Sequence, residues 1–385
     1  MRCNQAAPLK LLFVVTEDWY FVSHRLPLAV GALAAGMEVS IATNVNHHRD
    51  LIEAAGIKVV PWRLQRGSTS ILRELGSLAG LVRIFRQERP DIVHLVAIKP
   101  VLYGSLAARL TRVDKVVSAL GGMGAIFSSD AGGRRTGLRK MVLSGFRWLL
   151  NGRGSRLVLQ NRDDLALLVE GAAINPANVR IIRGAGVDLA AFTVQPLAEG
   201  APMVMLPARM LLDKGVVEFV LAARTLRLGG SKARFVLVGA VDECNPACIA
   251  ASQLQAWVAE GHVEWLGRRD DMPALYAAAT IVCLPSYREG LPKALLEAAA
   301  SGRAIVTTDV PGCREVVRHG ENGLLVPARD AEALAAAIAR LLDEPATRSL
   351  MGQRGRVIAE QEFSEQSVVK ATLDIYRSLD EERQS

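Results

Sequence analysis

Residues 281–306 read IVCLPSYREGLPKALLEAAASGRAIV. Ile281–Leu284 is an unbroken apolar run, as a strand covered on both faces requires. A short loop follows, and Pro292 stands where a helix opens, since its missing N–H and fixed φ suit the first helical position. Ala and Leu fill that helix as far as Ser301–Gly302, and Ala304–Thr307 is apolar again. Strand, helix and strand in this order form a right-handed parallel unit. The fold class is therefore α/β.

The same alternation extends outward in both directions. Downstream of residue 200 the spacing predicts strands at Met203–Pro207, Arg234–Val238 and His262–Trp265, and after Asp330 only helices. Upstream it predicts strands at Leu9–Val15, Glu38–Ala42, Ile57–Pro61, Asp91–Leu95, Lys115–Ala119 and Arg156–Leu159. Helices lie between them, such as Leu26–Ala35 closed by Gly36, and Ile71–Glu88 ended before Pro90. Thr193–Pro202 has two prolines and little periodicity, and reads as a linker. Two doubly wound, Rossmann-like domains follow, 1–192 and 203–362, with a last helix in 363–385 crossing back toward the first. Facing each other, such domains leave a cleft between the carboxyl ends of their strands, where ligands bind.

The chain has 385 residues, half of them hydrophobic, yet no apolar run is long enough to span a bilayer. The opening MRCNQAAPLKLLFVV has no small-residue cleavage site and reads as a first buried strand, which places the protein on the cytoplasmic side. Five scattered cysteines, with no second pair matching Cys244 and Cys248 at zinc-site spacing, read as idle thiols in a reducing compartment. The net charge of +7 is unevenly placed: residues 1–190 carry 25 − 14 = +11 and the rest 21 − 25 = −4. The electropositive surface belongs to the first half.

The helix after Ile281–Leu284 points its open N–H groups and positive dipole end toward the loop at Gly290–Leu291, a place for phosphate. Glu289 and Glu297, eight positions apart, read as acceptors for donor hydroxyls. The second half opens with another strand-loop-helix, VMLPARMLLDKGVVEFV, in which Arg209 and Lys214 bracket the loop. An Arg fork and a Lys point charge suit a diphosphate.

With these motifs the whole chain resembles glycosyltransferase family 4, whose members adopt the two-domain GT-B fold and retain anomeric configuration. The resemblance rests on the glutamates separated by seven residues and on the upstream basic pair. It implies that Glu289 contacts the donor sugar, Glu297 the ribose, and Arg209 and Lys214 the diphosphate. It also implies that main-chain groups at Leu266–Gly267–Arg268 read uracil. The first half, with WYFVSHRLPLAV and DIVHLVAIKPVLYG, resembles a branch that extends saccharides on undecaprenyl diphosphate in cell-surface glycan assembly. A UDP-sugar donor, an N-acetylhexosamine among the options, is the corresponding expectation.

On the acceptor side, Ser23, His24 and Arg25 stand between the first strand and its helix, with Ser23 as a candidate cap. Lys99 is a candidate for an acceptor phosphate, His94 reads as a core histidine, and His47 and His48 read as a solvated loop. Many relatives carry a histidine after the strand at Lys115–Ala119. Here the segment reads SALGGMGAIF, with Gly121, Gly122 and Gly124 and no histidine, a glycine loop that lets backbone approach donor or acceptor closely; His24, at a helix start by the carboxyl end of the sheet, is a catalytic candidate.

Residues 131–156 hold seven Arg or Lys and no acid. Leu138, Met141, Val142, Gly145, Phe146 and Leu149 form an apolar stripe, flanked by Arg135, Arg139, Lys140 and Arg147, with Trp148 beside them. Such a helix lies on an anionic membrane surface, each basic residue contributing on the order of 1 kcal/mol. It also packs on its own sheet in the simpler reading. No aromatic stacking pattern accompanies the charge, which argues against nucleic acid.

No Asp-x-Asp metal motif is present, and the adjacent pairs Asp163–Asp164 and Asp270–Asp271 read as helix caps. The expected reaction is a metal-independent, cofactor-free, front-face retaining transfer. Two alternatives stay open at this point: a UDP-sugar epimerase of the same fold, and a non-catalytic membrane-surface scaffold.

Overall fold

The computed structural model describes residues 7–64, 70–122, 133–197, 199–243 and 245–382, with side chains left undescribed at 71, 133–136 and 138. Two compact units divide the chain: Met1–Ala185 with Val368–Ser385, and Gly186–Ser367.

The first unit alternates β1 (Lys10–Glu17), α1 (Asp18–His24), α2 (Leu26–Ala34), β2 (Glu38–Asn44), α3 (Arg49–Ala54), β3 (Lys58–Pro61) and α4 (Ile71–Glu88). It continues with β4 (Ile92–Val96), α5 (Ile98–Thr111), β5 (Lys115–Leu120), α6 (Gly133–Leu150), β6 (Ser155–Leu159), α7 (Arg162–Ala172) and β7 (Val179–Ile181). The strands form one parallel sheet in the order β3-β2-β1-β4-β5-β6-β7. Period-two alternation splits β1 between two cores: Leu12 and Val14 face the side that also buries Leu81, Phe85 and Phe146, and Leu11, Phe13 and Val15 face the other.

The second unit contains β8 (Met203–Pro207), α8 (Val216–Leu228), β9 (Arg234–Val238), α9 (Ala251–Ala259), β10 (Glu264–Trp265), α10 (Met272–Ala278) and β11 (Ile281–Leu284). It closes with α11 (Lys293–Ala300), β12 (Ala304–Thr308), α12 (Cys313–Val316), β13 (Gly323–Val326), α13 (Ala331–Asp343) and α14 (Pro345–Glu362). Its parallel sheet has the order β10-β9-β8-β11-β12-β13. Both sheets are doubly wound and Rossmann-like.

The last helix, α15 (Glu365–Glu381), belongs to the first unit from Val368 onward. Its Val368, Leu373, Tyr376 and Leu379 join the core of Phe13 and Phe21, and Asp380 meets Lys115 Nζ at 2.5 Å. The division between the units falls at Ala185, earlier than the proline-bearing stretch read as a linker. That stretch is held to the second unit: Arg303 donates to the Gln195 carbonyl at 2.6 Å, and Val194 sits against Gly302. No described helix is long and apolar enough to cross a membrane.

Candidate functional site

Ligands of open parallel sheets bind where the strand order reverses. In the second unit that point lies between β8 and β11. The loop after β8 carries Arg209 and a short turn, Leu212–Lys214, before Gly215 caps α8 at φ 69°. A Cβ on Gly215 would stand 2.1 Å from the Pro285 carbonyl, so only glycine lets this loop meet the end of β11. That approach places Lys214 Nζ 2.6 Å from Glu289 Oε1, to which Ser286 Oγ also donates at 2.7 Å. The opposite side of the turn is held by Gly312 at φ 82°, whose Cβ would lie 2.6 Å from the Glu289 and Gly290 carbonyls. The Glu289 N–H completes the clamp by donating to Pro311 at 3.1 Å.

Arg209 is similarly engaged, with Nη1 2.6 Å from Asp242 Oδ2 on the loop after β9. Tyr287 braces the same turn: its hydroxyl donates to Glu218 at 2.6 Å and the Arg329 guanidinium lies 4.6 Å over its ring. Both expected cations are thus brought to the switch point, and each faces a carboxylate. Asp242, Ser286 and Tyr287 were not among the sequence candidates, although Ser286 and Tyr287 stand in the deciding stretch itself.

The helix after this turn starts at Lys293. Pro292 is its N-cap, with ψ 115°, one residue earlier than the sequence reading placed it. The first turn of α11 has no acidic residue and no side-chain cap. Gly290 and Leu291 form the bend before it, Leu291 being buried. Glu297 lies one turn further in, 3.8 Å from Lys293 Nζ. Burial raises its pKa and Lys293 opposes that rise. On the loop after β10, the Gly267 carbonyl already accepts the Gly239 N–H at 2.8 Å. The Arg268 side chain extends outward toward Asp270 at 3.5 Å, so its side chain is a surface group.

In the first unit the order reverses between β1 and β4. Asp18 opens α1 with its side chain buried, and its carboxylate accepts N–H bonds from Trp19, Asn46, His47 and His48 at 2.6–3.1 Å. Burial alone would raise its pKa, but these backbone donors outweigh it and the pKa falls. The His47–His48 segment, read as solvated, is therefore tied to the end of β1, with His48 Nδ1 3.5 Å from Asp18.

Ser23 lies inside α1, and the N-cap of α2 is Arg25, because the chain turns one residue after His24. The His24 ring stacks on Tyr20 at 4.2 Å. Tyr20 Oη in turn occupies the space where a Cβ on Gly121 would come within 3.0 Å. The structure thus joins His24 to Gly121 through Tyr20, and Gly122 follows at φ 131°. Gly124 lies outside the described residues. At the end of β4, Ala97 adopts φ 81° and ψ 164° as the N-cap of α5, a conformation that costs a residue with a Cβ about 1–3 kcal/mol. Lys99 Nζ lies 2.8 Å from Glu74 on α4, whose other oxygen takes the Tyr103 hydroxyl.

Phe146 is not a membrane residue. Helical periodicity turns Val142, Phe146 and Leu149 into the core, with Phe146 fully buried. Met141 and Trp148, seven positions apart, are instead 65% and 59% exposed, alongside exposed Arg139, Lys140 and Arg147. The Arg109 guanidinium lies 4.2 Å over the Trp148 ring. The side chains of Arg135 and Leu138 lie outside the description.

Among the described residues no group of three His, Cys, Asp or Glu is placed to hold a metal ion. Cys283 and Cys313 are buried free thiols, Cys313 being pushed up to about 12 by burial first and Glu289 second. Cys3 and Cys244 lie outside the described residues.

Two family models match the chain: "Glycosyl transferase 4-like" over residues 10–153 and "Glycosyl transferases group 1" over residues 201–344. An N,N'-diacetylbacillosaminyl-diphospho-undecaprenol alpha-1,3-N-acetylgalactosaminyltransferase of Campylobacter jejuni is 26% identical, covering 91% of this chain and 94% of its own. An Escherichia coli UDP-Gal:alpha-D-GlcNAc-diphosphoundecaprenol alpha-1,3-galactosyltransferase is 25% identical over 71% of this chain and 72% of its own. Among solved structures, HepE of Anabaena in complex with UDP superposes with TM-score 0.78 at 19% identity, covering 96% of this chain and 100% of HepE. Matched by the family in both halves and built on the GT-B pair of Rossmann-like sheets, the chain belongs to the group 1, family 4-like glycosyltransferases.

Proposed function

We propose that the chain moves a sugar from a UDP-sugar onto a polyprenyl-diphosphate-linked saccharide, with retention and without a metal ion, beside an anionic membrane surface. The observation that carries this reading is the pair Arg209 and Lys214 at the switch point, each held by a carboxylate at 2.6 Å. Exchange of those carboxylates for the donor diphosphate releases Glu289 to accept sugar hydroxyls. The uncapped start of α11 adds its dipole to the leaving group. Attack by the acceptor hydroxyl on the leaving-group side breaks the bond from sugar to phosphate, and a diphosphate oxygen takes the proton. Such a route needs no strong protein base, consistent with the glycines that follow β5; His24, stacked on Tyr20, orients the acceptor.

The names of the Campylobacter and Escherichia relatives support a diphosphate-linked undecaprenol acceptor, and the second supports a uridine donor. The first makes an N-acetylhexosamine a natural donor to try. The exposed Met141 and Trp148 among Arg139, Lys140 and Arg147 support membrane contact.

Lys214→Ala tests the site directly. Loss of one preorganised charge at a developing anion lowers turnover by roughly 10²–10³-fold. Steady-state turnover unchanged in that variant would overturn the assignment.

A further inference from the structure

Arg25 is 5% exposed, yet among the described residues its side chain makes no hydrogen bond or ion pair. Nε is enclosed with no acceptor, and the terminal nitrogens are not enclosed in the same way. Buried cations are ordinarily paired, because an unpaired one loses its hydration for nothing in return. Among the described residues, α2, nine residues long, has no acid in its first turn and no side-chain cap, and neither has α5 across the switch point. The Asp18 carboxylate is taken up by four backbone donors.

A second buried polar group has one nitrogen without a hydrogen-bond partner among the described residues. His94 on β4 is 1% exposed, its ring stacked on Phe13 at 5.0 Å and its Nδ1 2.5 Å from the Tyr376 hydroxyl of α15. Its Nε2 is enclosed without a partner. Burial first, and then the charge of Arg25, lowers the His94 pKa, so the ring is neutral and the two groups are electrostatic neighbours.

We propose that Arg25 is the receptor for a phosphoryl group, and that its occupant is the diphosphate of the lipid-linked acceptor. The occupant rests on the proposed function; the phosphoryl site does not. Unlike Lys99, which is paired with Glu74, Arg25 has no counter-ion among the described residues. A planar fork takes two phosphoryl oxygens at once, and the open N-terminus of α2 reinforces it.

Arg25→Met keeps the length and apolar body of the side chain and removes the charge. For a binding residue without an internal partner, the unliganded melting temperature stays level or rises. For a structural residue it falls. Thermal unfolding of the full chain is measured with and without inorganic pyrophosphate, in the wild type and Arg25→Met, each also carrying Lys214→Ala to remove the donor-side cation. The expected result is a pyrophosphate-induced upward shift that disappears with Arg25→Met. An equal shift in both backgrounds, or a lower unliganded melting temperature for Arg25→Met, overturns the site.

Kinetics with native Lys214 then decide the occupant. Arg25→Met should raise KM for a polyprenyl-diphosphate-linked saccharide at least tenfold, leave KM for the donor within twofold, and be partly rescued by Arg25→Lys. Loss of the pyrophosphate shift with an unchanged acceptor KM would mean a site for free phosphate and overturn the occupant. Absence of transfer from every nucleotide sugar would overturn the proposed function and leave the pyrophosphate result to stand on its own.

Discussion

The Asp18 carboxylate gathers four backbone N–H groups, one from the start of α1 and three from the loop after β2, and this gives it a measurable signature. Its folded pKa lies below the ordinary 3.8, so its contribution to stability is present above that value and lost as pH falls through the folded pKa. Asp18→Asn keeps the shape but removes the charge, and should cost roughly 1–3 kcal/mol at neutral pH. The gap between variant and wild type in urea unfolding should close in acid. Equal stability at neutral pH would remove Asp18 from its organising role. The residue was not legible as a partner of Asn46, 28 positions away, because no local spacing encodes such a contact. The same applies to Arg209 and Asp242, 33 apart. Lys214 and Glu289 were legible singly, since each sits in its own strand-loop-helix, but their mutual contact at 2.6 Å was not. It depends on Gly215 and Gly312 admitting neighbouring backbone, a property of packing rather than of spacing.

At the scale of elements, α6 turns Phe146 into the core and leaves Met141 and Trp148 exposed. Phe146→Ala should behave as a core truncation, costing about 3–5 kcal/mol in chemical unfolding. Trp148→Glu, on the exposed face, should leave stability nearly unchanged and weaken co-sedimentation with vesicles containing anionic lipid. Retained vesicle binding by Trp148→Glu would take membrane contact away from this helix. The distinction was hidden in the sequence because a helix in a basic segment shows the same apolar spacing whether its stripe faces a sheet or a bilayer. Strands were legible where four or more apolar residues ran together, as in Ile281–Leu284. β7 has only three residues, two of them exposed, and β13 opens on Gly323, so neither presents that signal. α1 was missed because Asp18–His24 is a short, mixed segment with no periodic face.

For the molecule as a whole, the donor candidates Arg209, Lys214, Glu289 and Glu297 lie in one compact unit, and the acceptor candidates His24, Arg25, Gly121 and Gly122 in the other. Each set surrounds the point where its own sheet reverses strand order, or the strand end beside it. α15 closes the core of the first unit after the chain has completed the second. The direct measurement is transfer by the purified protein from a panel of nucleotide sugars to a polyprenyl-diphosphate-linked saccharide in EDTA, with the anomeric configuration of the product read by NMR. The account predicts transfer from a UDP-sugar, undiminished by EDTA, with the donor's anomeric configuration retained. Donor consumed by hydrolysis or epimerisation without a glycosylated lipid, or transfer that needs a divalent metal, would contradict it.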